Sequence, residues 1–148
     1  PVLSSDIVLC LIKPDAYKYK DEIIRRIEYA GLGVIHKVSR TFSEQFVEKL
    51  YSDVSKGPLL HATMRNFLGR PSEILLVRGG ADILPKILNT IGLKTNPTLC
   101  DPESIRFIYG NHIPEELGEG LQYYRNAVHR PTNEEEVERD LNLFRETM

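Results

Sequence analysis

The sequence predicts an α+β fold, an antiparallel sheet with helices packed on it. Three observations carry this prediction. Apolar runs of strand length recur along the chain, apolar stripes at helical spacing lie between them, and no repeat, linker or low-complexity tract interrupts the succession. The 148 residues are expected to form a single domain, 1–148, large enough to bury roughly two thirds of its unfolded surface. An apolar content of 41% and a charged content of 27% argue against disordered and fibrous classes.

Ile7 to Ile12 is unbroken in apolar character, the pattern of a strand covered on both faces, and Pro14 ends it by removing a ladder donor. From Lys20 to Ala30, the stripe Ile23, Ile24, Ile27, Ala30 predicts a helix, with Glu22 and Arg26 as an i,i+4 pair and Gly31 as its C-terminal cap. A second strand is expected over Val34 to Thr41. Ser43 can cap a helix whose core face is Phe46, Val47, Leu50 and Val54. Gly57-Pro58 breaks that helix, and Pro58 can open a third through Leu59, Leu60, Met64 and Phe67. Glu73 to Val77 reads as another buried strand. Ile83, Leu84, Ile87, Leu88 and Ile91 predict a further helix, compatible with Pro85 only in its first turn. From Gly92 to Gln122 periodicity fades, and a long loop is expected. A short strand around Tyr124 to Val128 then precedes a last helix, with Thr132 and Glu135 as a capping box and Val137, Leu141 and Phe144 as its apolar face. Without the extra helices the order is βαββαβ, the ferredoxin-like arrangement with helices on one face of the sheet. That fold hosts many activities and cannot decide function.

A net charge of −2 at pH 7 gives no reason to expect nucleic acid or an anionic membrane as the main partner. No apolar run approaches the roughly 20 residues that cross a bilayer. Pro1 to Ser5 carry no basic residue, so no signal peptide is expected. Cys10 and Cys100 do not make a disulfide framework, and a cytoplasmic setting follows as the default.

His129 is the leading candidate for chemistry. Imidazole is nucleophilic near neutral pH because its unperturbed pKa is about 6.5, so it can take a phosphoryl group and return it. It stands at the end of a short strand, just before an expected helix N-terminus, where exposed N–H groups favour an anion. His36, His61 and His112 show no metal-ligand spacing and are read as structural or surface residues. The phosphate-loop pattern GxxxxGK[ST] is absent.

Arg125-Asn126-Ala127-Val128-His129 and Ile12-Lys13-Pro14-Asp15 resemble two signature segments of the nucleoside diphosphate kinase family, at the corresponding ends of the chain. The resemblance spans nearly the whole sequence. It implies that His129 carries the phosphoryl group in a ping-pong exchange between nucleoside triphosphates and diphosphates, and that Lys13 meets the phosphate and sugar. Tyr51 matches the tyrosine supporting the histidine. Thr95, in Thr95-Asn96-Pro97, matches a phosphate-binding threonine, Arg106 a phosphate-binding arginine, and Asn126 the asparagine that meets the ribose. Glu138 is matched to the glutamate that orients the histidine. ATP and other nucleotides are the implied ligands, Mg²⁺ the implied cofactor carried by the nucleotide rather than by protein side chains, and a homo-oligomer, most often a hexamer, the implied assembly.

Several positions depart from the family pattern. Asn89 stands where a second phosphate-contacting arginine is expected, and Leu59 where an aromatic ring stacks on the base. Arg130 and Pro131 replace a glycine and a hydrogen-bonding serine; Thr132 can supply the lost hydroxyl and Arg130 a cation from another direction. About ten residues are added near 110–120, and the sequence stops at Met148 where the family has a trailing segment. Asn89 and Pro131 support a second reading, a catalytically weak or inactive nucleotide-binding module on the same fold.

Overall fold

A computed structural model describes residues 6–52 and 57–147. Pro1 to Ser5 and Val54 lie outside the described residues. Strand β1 (Ile7–Ile12) pairs antiparallel with β3 (Pro71–Arg78) on one side and with β6 (Val128–His129) on the other, and β2 (Gly33–Thr41) pairs antiparallel with β3. The strand order is β2-β3-β1-β6, and its pairings are antiparallel, as expected of the sheet. Every residue from Val8 to Ile12 is buried, and successive side chains point to opposite faces, so the centre of the sheet is covered on both faces rather than on one. Helix α4 (Ile83–Ile91) and helix α6 (Glu134–Thr147) both pack on β1, while α1 (Lys20–Tyr29) packs on β2. β2 is an exposed edge strand, bulged where Ile35 falls between the paired residues Val34 and His36.

The helix expectations hold where a cap or a proline marks the start. Ser43 Oγ accepts from the Phe46 N–H at 3.2 Å and opens α2 (Glu44–Leu50). Pro58 opens α3 (Pro58–Phe67), and Pro85 lies in the first turn of α4. Details differ. Gly31 follows the end of α1 at φ +89°, but Ala30 is exposed rather than on the stripe. Glu22 and Arg26 meet through a third group: the Arg26 Nε–H donates to the Tyr109 hydroxyl at 3.0 Å, and that hydroxyl donates to Glu22 at 2.9 Å. The face α3 buries is Ala62, Thr63, Asn66 and Phe67, with Leu59, Leu60 and Met64 only half-buried, because Asn66 joins a buried polar network. The cap of α6 lies one residue later than expected: Asn133 Oδ1 accepts from the Glu136 N–H at 2.8 Å, and Glu136 reaches back to the Thr132 N–H and hydroxyl.

The expected long loop is structured. It holds a short 3-10 turn at Pro97–Leu99, helix α5 (Ile105–Tyr109) capped by Ser104, and a hairpin of β4 (Glu115–Gly118) and β5 (Leu121–Tyr123). Glu119 at φ +54° and Gly120 at φ +79° make its two-residue connection, positive at both positions as the right-handed strand twist prefers. β5 packs on α3, and Arg65 pairs with Glu115. The core runs along β1 and β3 beneath the helices and includes Leu9, Leu11, Ile74, Ile87 and Phe67. Among the described residues no helix is long and apolar enough to cross a membrane.

Candidate active site

The short β6 puts His129 opposite Leu11 in the ladder, and the Lys13 N–H continues the pairing by donating to the Ala127 carbonyl at 2.8 Å. Strand order alone therefore brings the two ends of the sequence together. Between Asn126 and Val128 the chain makes a three-residue turn: the Val128 N–H donates to the Asn126 carbonyl at 2.8 Å across Ala127, held at φ +72°. A non-glycine residue there is strained. Asp15 holds the strain in place by accepting from the Ala127 N–H at 3.2 Å with one oxygen and from Asn66 Nδ2 at 2.9 Å with the other.

His129 is 7% exposed, and its Nε2 lies 2.8 Å from Asp140 Oδ2. Asp140 is fully buried and takes a second bond from Arg139 Nε at 3.0 Å. Burial pushes the imidazole pKa below the ordinary value, while the hydrogen bond and charge of Asp140 pull it back up. The Tyr51 ring stands edge-on to the imidazole with centroids 5.5 Å apart. Burial raises the Tyr51 hydroxyl pKa well above normal, and that hydroxyl is buried with no partner among the described residues.

Lys13, 5% exposed, donates to Asn126 Oδ1 at 2.7 Å, and Asn126 Nδ2 donates to the Thr95 carbonyl at 3.0 Å. Burial first, and Arg106 second, depress the Lys13 pKa to about 7. Arg106 donates twice to the Val128 carbonyl, at 3.2 and 3.0 Å, and once to the Lys94 carbonyl at 2.8 Å. It thereby ties β6 to the loop that carries Thr95. Burial, then the neighbouring Arg130, lowers its pKa to about 10. Arg130 donates twice to the Gly92 carbonyl, at 3.1 and 2.8 Å.

These side chains surround a cavity of about 280 Å³. Lys13, Arg106, Arg130 and Arg139 line it against one carboxylate, Glu136, among the described residues. The unfilled donors and the mutual repulsion of the cations make it a site for an anion. Its donor set is not a cage of carboxylates for a divalent cation.

Six of the seven expected site residues, His129, Lys13, Tyr51, Thr95, Arg106 and Asn126, line this one cavity. Glu138 does not: it is exposed on α6, and Asp140 takes the place expected for it beside the histidine. The helix period explains the error. At about 100° per residue, Asp140 falls within the Val137–Leu141–Phe144 stripe and Glu138 points away from it. A charge inside an apolar stripe was the readable signal. Asn89 is likewise exposed on α4 and lines a separate cavity with Thr90 and Ser104. Thr132 lines the site, but its hydroxyl donates to Glu136 at 2.8 Å.

The sequence model of the family described as nucleoside diphosphate kinase matches residues 6–147. The chain belongs to the nucleoside diphosphate kinase family. A nucleoside diphosphate kinase of Methanosphaera stadtmanae is 29% identical over 136 residues, covering 90% of this chain and 82% of that one. One of Staphylococcus haemolyticus is 31% identical over 137 residues, covering 90% and 83%. Among solved structures, a transition-state mimic of the Borrelia burgdorferi nucleoside diphosphate kinase with bound vanadate and ADP superposes with a TM-score of 0.76 at 18% identity, covering 93% of this chain and 85% of that one. At family level these matches make the chain a nucleotide-binding phosphotransferase. Asp140, beside His129, and Tyr124, on the cavity wall, are residues that no motif in the sequence named.

Proposed function

We propose that this chain is a working nucleoside diphosphate kinase. The observation that carries the reading is a buried histidine, oriented by Asp140, on the wall of a cavity that, among the described residues, is lined by four cations and one carboxylate. With Nε2 committed to Asp140, the neutral imidazole keeps its lone pair on Nδ1. The lowered pKa keeps that lone pair free at neutral pH.

In the first half-reaction Nδ1 attacks the terminal phosphorus of a nucleoside triphosphate. The N–P bond forms as the bridging P–O bond breaks, and the diphosphate leaves with the electron pair. In the second, a terminal oxygen of another nucleoside diphosphate attacks the same phosphorus and the N–P bond breaks. Lys13 and Arg130 meet the developing oxygen charge, each charge-assisted contact contributing about 1.5–3 kcal/mol. The Tyr51 hydroxyl, buried without a partner among the described residues, can donate at the same place. Asn126, braced by Lys13 and the Thr95 carbonyl, holds the sugar. Mg²⁺ on the nucleotide's phosphates would neutralise part of their charge, with no protein carboxylate assigned to it.

Incubation with γ-labelled ATP is expected to leave acid-labile label on the protein that chases into GTP when GDP is added, and His129→Ala is expected to abolish both. Turnover in that variant overturns the mechanism. Glu136 favours a second reading, a nucleotide-binding module without transfer, because it sets a carboxylate at a wall where phosphates would lie. Nucleotide binding with no label on the wild-type protein selects that reading.

A further inference from the structure

The position expected to carry a base-stacking ring holds Leu59, and a leucine has no π-face. Leu59 nevertheless lines the cavity, one turn of α3 before Thr63, which lines it too. Two rings line the same cavity from another part of the chain, Tyr123 and Tyr124. Tyr123 closes the β4–β5 hairpin, formed largely by the added residues, and Tyr124 follows directly.

The two tyrosines are held differently. Tyr123 is buried, and Asn66 Nδ2 donates to its hydroxyl at 3.3 Å while also holding Asp15. Asp15 in turn fixes Ala127. The segment from Tyr123 to Ala127 is thus anchored at both ends to one buried polar network. Tyr124 lies between the anchors, half-buried, with no hydrogen-bond partner for its hydroxyl among the described residues. Asn126, the expected sugar contact, is two residues further along.

We propose that Tyr124 is the stacking platform for the nucleobase, supplied by the hairpin in place of the ring missing at Leu59. The inference rests on the nucleotide reading of the cavity. A ring offers a π-face to any base and reads no hydrogen-bond edge, so it contributes affinity without selecting among bases; base–aromatic stacking is worth about 1–3 kcal/mol, or roughly 5- to 150-fold in affinity.

The test compares two probes, ATP and inorganic tripolyphosphate, which shares the phosphates and lacks base and sugar. Tyr124→Ala and Tyr124→Leu are expected to weaken ATP binding at least about fivefold and leave tripolyphosphate binding unchanged, while Tyr124→Phe binds both as wild type does. Equal weakening of both probes in the alanine and leucine variants assigns Tyr124 a structural role and overturns the proposal. So does unchanged ATP affinity. Circular dichroism on each variant identifies a folding failure, in which case the leucine and phenylalanine variants decide between ring and bulk. Wild-type protein that binds tripolyphosphate but not ATP overturns the nucleotide reading itself, an outcome distinct from any effect of Tyr124.

Discussion

Asp140 and Lys13 show how single side chains set the chemistry. Asp140 accepts from both His129 and Arg139, so removing its charge loses the tautomer control and the electrostatic support of the imidazole together. Asp140→Asn is expected to lower kcat on the order of 10²- to 10⁴-fold and to move the acid limb of the pH–rate profile downward, because the carboxylate holds the histidine pKa up. Glu138→Gln is expected to change neither; a large loss there would return the orienting role to Glu138. Lys13 acts on stability in the opposite sense to most paired charges. Its folded pKa of about 7 lies below the ordinary 10.5, so between those values the unfolded chain holds more protons and stability rises with pH. Below the folded value both states are protonated and the full cost of the buried charge is present. Lys13→Met is therefore expected to raise the melting temperature near neutral pH, with the gain shrinking toward 10.5, and to weaken nucleotide binding. Thermal unfolding across pH checks the first and titration calorimetry the second. An unchanged melting temperature at neutral pH sinks the argument.

At the scale of elements, the decisive segment is the one that looked featureless. α5 has five residues and the hairpin strands four and three, too short for either periodicity to register. Yet each holds part of the site, Arg106 on α5 and Tyr123 at the end of β5. The turn at Glu119-Gly120 was readable only from Gly120, since positive φ favours glycine and Glu119 at the other central position gives no such signal. Gly120→Val places a β-branched residue at φ +79° and is expected to cost about 1–2 kcal/mol in denaturant unfolding. If the hairpin carries the base platform, ATP affinity falls with it. The strand before His129 was placed too early, and the reason is local: the turn at Ala127 breaks the extended run and leaves only Val128 and His129 in the ladder.

Across the whole molecule, rigidity of the core sets the precision of the site. Phe67 is fully buried on α3 and contacts Phe42 and Tyr51, with centroids 6.2 and 5.9 Å away, and Tyr51 in turn abuts His129. Phe67→Ala is expected to cost about 3–5 kcal/mol of stability. The surviving folded protein should also turn over more slowly as Tyr51 loses its support; unfolding curves and kcat measured on the folded fraction check both. The Lys13 N–H bond to the Ala127 carbonyl extends the β1–β6 ladder and keeps Lys13 beside Asn126.

The sequence by itself determined the α+β class with its antiparallel sheet, the starts of α2, α3 and α4, and six residues of the cavity. The fold elements follow from period, proline and capping chemistry, and the cavity residues from the resemblance to the family's motifs. Tertiary structure decided the rest. It chose Asp140 over Glu138, moved Asn89 out of the site, tied Arg106 to two carbonyls through three hydrogen bonds and brought Arg139 and Tyr124 to the cavity. The physical reason is the same each time. Which polar groups meet depends on how helix faces and short turns are rotated against one another, and local sequence signals leave that rotation open until the core packs.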